Sequence, residues 1–230
     1  MKKKKIWCII YVEFVYYFSD TNNNRGLNLI MKIIGLTGPS GAGKGFCYGF
    51  FEKHNIPCID TDDVYHKLLI PPSKCVCDLV ENFGNEIFDE NTGIDRKKLA
   101  DIVFSDISHK KLDTLNRITH KYVLEKTHEL IALYKKQEKI AVVIDAPLLF
   151  EAEFDKFCDF TIAVIADEKT RMARIMKRDS LIYKAAKQRI NSQNPDEFYT
   201  SRANYTVVNN TDTYSLEDQL NTIFIKEKLI

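Results

Sequence analysis

No charge of one sign dominates this chain. Its 33 lysines and arginines face 32 aspartates and glutamates. Residues 1–30 hold five of the basic and two of the acidic residues, which leaves 28 basic against 30 acidic in the body. A near-neutral body without an aromatic–basic stripe excludes a nucleic-acid footprint. Metal-ligand spacing is missing as well. The six cysteines, at positions 8, 47, 58, 75, 77 and 158, follow no regular pattern. Cys75 and Cys77 form a C-x-C without a second pair or a nearby histidine set, so a structural zinc site is not expected. Buried free thiols in a reducing cytosol are.

An apolar stretch long enough to cross a bilayer is also lacking. Ile6–Phe18 spans only 13 residues and contains Glu13. Preceded by Lys2–Lys5, it imitates a secretory leader, but no Ala-x-Ala-like cleavage site follows. Met31 stands immediately before the first strand pattern. The folded unit is therefore expected to begin at Met31, with residues 1–30 an upstream extension outside it and a weak membrane anchor as the alternative. Residues 31–230 then form one domain, cytoplasmic and without stable membrane association, large enough for one core and a small inserted subdomain.

What is present is a phosphate-binding signature. An apolar run ends in Gly38-Pro39-Ser40-Gly41-Ala42-Gly43-Lys44-Gly45, and a helical pattern follows. The glycines admit positive φ and let backbone N–H groups crowd around an anion. The next helix aims the positive end of its dipole at the same point, and Lys44 can follow the β- and γ-phosphates of ATP. A plain strand–helix turn with an exposed lysine is the alternative. Where a serine or threonine hydroxyl normally meets Mg²⁺, this chain has Gly45. The match is good for phosphate and incomplete for metal.

Lys32–Thr37 reads as a parallel strand apolar on both faces. A helix over 44–54, a second strand over 55–60 and a helix over 60–69 follow, stopped by Pro71-Pro72. Between Ser73 and Gln137 no strand is expected, only helical patterns over about 73–83, 95–104 and 108–137. Strands are predicted at 140–145, 160–166 and 205–208, and helices at 167–178, 181–192 and 213–228. Strands alternating with helices predict a three-layer α/β domain with a five-stranded parallel sheet, the P-loop NTPase architecture. Ligands of such sheets sit at the carboxyl ends of the strands. The loop, Asp60, Asp145 and Asn209 all fall there.

Asp60 could accept a proton from a substrate hydroxyl, help to hold Mg²⁺, or cap the helix it precedes. Asp62 fits capping, metal or substrate contact equally. Asp145 ends an apolar strand in the Walker-B arrangement, as a Mg²⁺ ligand or as a brace for the loop. Arg171, Arg174, Lys177, Arg178, Lys184, Lys187 and Arg189 concentrate positive charge. That segment could close over a triphosphate, or it could be a solvated basic face. His54, His109 and His128 are expected at the surface.

Taken in order, these pieces resemble the dephospho-CoA kinase family over nearly all of residues 31–228. The resemblance rests on Ile34-Gly35-Leu36-Thr37-Gly38 with its loop, Ile59-Asp60-Thr61-Asp62, Phe83-Gly84 and Ile94-Asp95-Arg96-Lys97-Lys98-Leu99. It continues through Leu115-Asn116-x-x-x-His120 and Arg174-Ile175-Met176-Lys177-Arg178-Asp179. Ala186-x-x-Arg189-Ile190-x-x-Gln193 and Val208-Asn209-Asn210 complete it, and Asp145-Ala146-Pro147-Leu148-Leu149-Phe150-Glu151 is the most specific piece.

The resemblance implies transfer of the ATP γ-phosphate, with Mg²⁺, to the ribose 3′-hydroxyl of 3′-dephospho-CoA, the last step of coenzyme A synthesis. It implies a nucleotide-binding core, a helical acceptor-binding subdomain over about 65–137 and a lid over about 177–193, in a monomer or weak oligomer. On it, Asp60 is the base, assisted by Lys44 and Arg178, and Asp62, His66, Arg96, His120 and Pro147-Leu148-Leu149 contact the acceptor. Arg174, Arg178 and Arg189 lie near the ATP phosphates, Asn209 near the adenine, and Asp145 with Asp60 at the metal. Two residues depart from the family pattern: Gly45, and Asn204 where an aspartate is common. Either Asp145, Asp60 and water fill the gap left at position 45, or catalysis is impaired. A different small-molecule P-loop kinase and a nucleotide-binding protein of impaired catalysis are the competing readings.

Overall fold

The structure, a computed structural model, describes residues 31–210 and 213–230. The 1–30 extension, and with it Cys8 and the membrane-anchor alternative, lies outside the described residues. In chain order the elements begin β1 (Lys32–Thr37), α1 (Gly45–Lys53), β2 (Cys58–Asp60), α2 (Thr61–Leu68) and α3 (Lys74–Phe83). Next come the short strands β3 (Phe88–Asp89) and β4 (Gly93–Ile94), then α4 (Arg96–Phe104) and α5 (Lys110–Lys136). The chain ends with β5 (Ala141–Asp145), β6 (Phe160–Ile165), α6 (Glu168–Asp179), α7 (Tyr183–Asn191), α8 (Asp196–Thr200), β7 (Tyr205–Val208) and α9 (Thr213–Lys226).

Five strands pair in the order β2-β5-β1-β6-β7, every pair parallel. This is the mixed α/β fold with a five-stranded parallel sheet that the alternating pattern predicts. The central β1 is buried from Ile33 to Thr37 and carries Ile33, Ile34 and Leu36 because both its faces are covered. On one face α1 and α9 bring Phe50, Phe51, Leu220 and Phe224 against Ile34, Leu36 and Ile162. Phe50 and Phe224 meet edge to face at 5.0 Å. Each such buried side chain contributes about 2 kcal/mol through lost apolar surface. On the other face the chain comes so close at Gly35 that a Cβ there would lie 2.9 Å from Cys158 Sγ and from Leu149 Cδ2.

The region from α2 to α5 has a core of its own, built on Leu79, Ile87, Leu99, Ile118 and Tyr122. It contains the one strand pair that the sequence pattern did not predict. Phe88 pairs with Ile94 and Asp89 with Gly93, antiparallel. Two-residue strands are too short to show an alternating period, and the turn carries the order instead. Asp89 Oδ1 accepts the N–H groups of Asn91 and Thr92, and Gly93 takes φ +83°. The short α8 was likewise not foreseen.

Two further expectations, on the histidines and on the cysteines, are corrected. His54 and His128 are half-buried rather than at the surface. His54 packs on Phe50 at 4.6 Å and His128 on Phe157 at 5.8 Å, and burial lowers the His128 pKa. Among the described cysteines Cys77 is an exposed thiol, not a buried one. Asn204 supplies the acceptor an aspartate would have supplied: its Oδ1 takes hydrogen bonds from Thr161 N (2.8 Å) and Thr161 Oγ1 (3.0 Å).

Candidate active site

β1 ends at Thr37, and the chain turns through Gly38–Lys44 into α1. Gly38, Gly41 and Gly43 have φ of 140°, 81° and 93°. A Cβ on Gly38 would lie 2.1 Å from the Val164 carbonyl oxygen, so the loop can seat against β6 only without a side chain. Loop carbonyls are held from behind. Arg171 Nε donates to Ser40 O (3.1 Å), Arg174 Nη1 to Ala42 O (3.1 Å) and Asn209 Nδ2 to the same oxygen (2.9 Å). Lys44 Nζ donates to Gly38 O at 3.2 Å. With the carbonyls turned back, the N–H groups of Gly41, Gly43 and Lys44 have no partner among the described residues. Together with the start of α1 they form an anion cradle.

Beneath the cradle lies a carboxylate cluster. Asp60 and Asp145 are the last residues of β2 and β5 and are in register. Asp60 Oδ1 caps α2, accepting from Asp62 N (2.9 Å) and Asp63 N (3.1 Å). The cap of α2 is therefore Asp60, and Asp62 is left free of that role. Desolvation first, then the neighbouring Asp60, raises the Asp62 pKa against the pull of Lys44 and His66. Asp145 is buried. Its Oδ2 accepts from the Tyr48 hydroxyl at 2.7 Å, whereas its Oδ1 is buried without a hydrogen-bond partner. The Lys44 ammonium stands 3.8 Å from that oxygen. Burial pushes the Asp145 carboxyl up to about 6, with Lys44 and Tyr48 pulling it down and Asp60 and Asp62 adding to the rise.

The opposite wall is basic. Arg174, Lys177, Arg178 and Arg189 line the cleft from α6 and α7. Arg178 and Arg189 both bond Asp179, and Arg178 Nη2 also donates to Ser40 Oγ at 3.3 Å. Arg171, grouped by charge with these residues, is placed differently. It is buried and braces the loop, donating to Gln193 Oε1 (2.8 Å) and pairing with Asp196 (3.3 Å). Lys187 pairs with Glu168 on the neighbouring helix. A charge run cannot distinguish a cation that faces a ligand from one that holds the scaffold.

The cleft bounded by loop, carboxylates and arginines has a volume of about 1210 Å³. Pro39, Ser40 and Gly45 line it, with Pro147 and Leu148 from beyond β5. A second cavity of about 670 Å³ is walled by His66, Arg96, Lys97 and the apolar Leu69, Ile70 and Ile94. Arg96 Nη1 donates to His66 Nε2 at 2.6 Å. Asp62 and His66 are one turn apart on α2, so this helix runs from the first cavity to the second.

A family model described as dephospho-CoA kinase matches residues 32–215 of the chain. The dephospho-CoA kinase of Lactobacillus acidophilus is 34% identical over 198 residues, 85% of this chain and 97% of that protein. The chain belongs to the dephospho-CoA kinase family. Among solved structures, that of TT1252 from Thermus thermophilus has a TM-score of 0.70 at 26% identity, covering 85% of this chain and 97% of that one. The dephospho-CoA kinase from Campylobacter jejuni shares the fold, with a TM-score of 0.63 at 23% identity over 87% of this chain and 100% of that one.

Several residues singled out through the family pattern lie in neither cavity. Leu149 is fully buried under Gly35, and Ala42 is fully buried within the loop. Asn209, also buried, spends its amide on Ala42 O, while its Oδ1 accepts from Arg174 Nη2 at 3.2 Å. His120 is half-buried on α5, its pKa lowered by burial. The cleft adds Phe46, Tyr48, Glu151, Asn194 and Tyr199 to the residues read from sequence. Phe46 lies under the Arg174 guanidinium at 5.4 Å. Of these, Tyr48 had a sequence signal: it follows Gly45 by three residues on a helix.

Proposed function

We propose that this enzyme transfers the γ-phosphoryl group of ATP to the ribose 3′-hydroxyl of 3′-dephospho-CoA, giving coenzyme A and ADP. The observation that carries the reading is that α2 lines both cavities, with Asp62 at the loop cleft and His66 in a second cavity that Arg96 and Lys97 also line. Two cations and an apolar wall suit an acceptor that carries both phosphates and an organic arm.

The loop N–H groups and Lys44 hold the β- and γ-phosphates, and Arg174, Arg178 and Arg189 spread the charge that develops during transfer. Asp60 keeps Oδ1 in the helix cap, so its second oxygen is the one that takes the proton from the acceptor hydroxyl. As that proton moves to Asp60, the ribose oxygen bonds the γ-phosphorus. The bond to the bridging oxygen breaks, and its electron pair leaves with ADP. Asp145, with Asp60 beside it, would hold Mg²⁺, which would supply charge neutralisation at the transferring phosphoryl group. The fit is chemical: an ionisable, buried and unpartnered carboxylate oxygen at the foot of the phosphate cradle.

Residues 65–137 act as the acceptor-binding subdomain and 177–193 as the lid. The reaction is assigned to the cytoplasm, in a monomer or weak oligomer. For the compartment, the described cysteines are free thiols, as a reducing one would keep them. An acceptor comparison at fixed ATP and Mg²⁺ tests the assignment. Dephospho-CoA should turn over, with shikimate and nucleosides at least about a hundredfold slower in kcat/KM; equal turnover of either would refute it.

A further inference from the structure

We propose that Tyr48 supplies the hydroxyl function that position 45 lacks, holding Asp145 so that one carboxylate oxygen is presented to the metal of the bound nucleotide. The inference deepens the kinase reading above and rests on it.

Gly45 opens α1 and Tyr48 follows three residues later, nearly one helical turn on, so the two share a face. Both line the same cleft. A hydroxyl on residue 45 would touch Mg²⁺ directly; Gly45 has none. The Tyr48 hydroxyl instead donates to Asp145 Oδ2 at 2.7 Å. A tyrosine phenol keeps its proton at neutral pH and so can donate it there. With Oδ2 held by Tyr48, Oδ1 is buried and without a hydrogen-bond partner. Unmade bonds at buried carboxylates are costly. The arrangement is explained if a cation completes it, and Lys44 Nζ at 3.8 Å is too far to do so by hydrogen bonding. Tyr48 is thus a positioning residue that acts through Asp145, the part an outer-shell partner plays at a metal site.

The substitution that reverses this device is open. Nothing lies within 4 Å of a Cβ built on Gly45, so a serine can restore the hydroxyl without displacing the loop. Four full-length proteins make the test: wild type, Tyr48→Phe, Gly45→Ser and the double variant. ADP affinity is measured by titration calorimetry without metal and across a Mg²⁺ series, a readout that requires no turnover. Tyr48→Phe should leave metal-free ADP affinity within about twofold and raise the Mg²⁺ midpoint about ten- to a hundredfold. Gly45→Ser in the same chain should recover most of that loss.

A wild-type Mg²⁺ midpoint in Tyr48→Phe overturns the proposal. So does a loss of ADP affinity that is equal with and without metal, which would mark Tyr48 as a prop for α1. Failure of Gly45→Ser to recover the midpoint overturns it too. Should Tyr48→Phe not fold, Gly45→Ser alone decides. A change below about threefold fits a role Tyr48 already fills, and a tenfold gain contradicts it. If dephospho-CoA is not phosphorylated, the acceptor reading fails while the ADP titration still judges Tyr48.

Discussion

Asp60 and Asp145 close adjacent parallel strands in register, as the final residue of each. Their surroundings differ sharply. Asp60 gives one oxygen to the N-terminus of α2 and lines the cleft. Asp145 is buried, held by Tyr48 on one oxygen and faced by Lys44 on the other. A carboxylate open to an acceptor suits proton transfer, and one buried with a bare oxygen suits a cation.

The double duty of Asp60 can be separated. Asparagine keeps the capping oxygen but cannot act as a base. Asp60→Asn should therefore leave the melting temperature within about a degree while lowering kcat about 10²–10⁴-fold at unchanged ADP affinity. Asp60→Ala should lose the same activity and a further ~1 kcal/mol of stability with the cap. A near-normal kcat in Asp60→Asn removes Asp60 from the base role.

Asp145 predicts a pH-dependent conflict between function and stability. Its folded pKa of about 6 lies above the unfolded value of 3.8. The folded state therefore binds that proton more tightly than the unfolded chain. The ionised carboxylate destabilises the ligand-free protein at pH above 6, and this penalty fades as pH falls toward 4 and the group protonates. Asparagine keeps an acceptor for Tyr48 without the charge. Asp145→Asn should raise the ligand-free melting temperature by several degrees at pH 7.5, from roughly 3 kcal/mol at 1.36 kcal/mol per pKa unit. No gain is expected at pH 4, and kinase activity should collapse at both. Calorimetric melts at the two pH values check it.

Lys44 reaches both the loop, through Gly38 O, and the carboxylates, through Asp145. Lys44→Ala should lower kcat/KM about 10²–10³-fold, the loss of a preorganised charge at the transferring phosphoryl group. Steady-state kinetics with both substrates varied measures this.

Two arginines of similar sequence context should behave oppositely. Arg171→Met empties a buried brace on Ser40 O, Gln193 and Asp196 and should cost about 2 kcal/mol or more of stability. Arg178→Ala, at an exposed position on the cleft wall, should leave stability within about 0.5 kcal/mol and lower kcat at least about tenfold. Denaturant unfolding and kinetics on the same preparations separate the two.

The sheet was legible because β1 and β5 are apolar on both faces, a pattern few alternatives share. The phosphate loop was legible through its glycines, and Asp60 and Asp145 through their place at strand ends. The β3–β4 pair was not, since its order resides in the Asp89 turn rather than in a period. Asn209 marks a similar limit: its position after β7 is visible, but only packing shows its amide turned into the loop. Tyr48 is not legible in the sequence because the loop pattern places the hydroxyl at position 45, whereas here it stands one turn along α1.

The identity of the phosphorylated hydroxyl can be read directly from the product. The chain is incubated with ATP, Mg²⁺ and 3′-dephospho-CoA, and the product is read by phosphorus NMR alongside ADP release. Phosphate on the ribose 3′-oxygen, formed one for one with ADP, is the predicted result. ATP binding without any 3′-phosphate, or phosphate appearing at another position, would contradict transfer to the ribose 3′-hydroxyl.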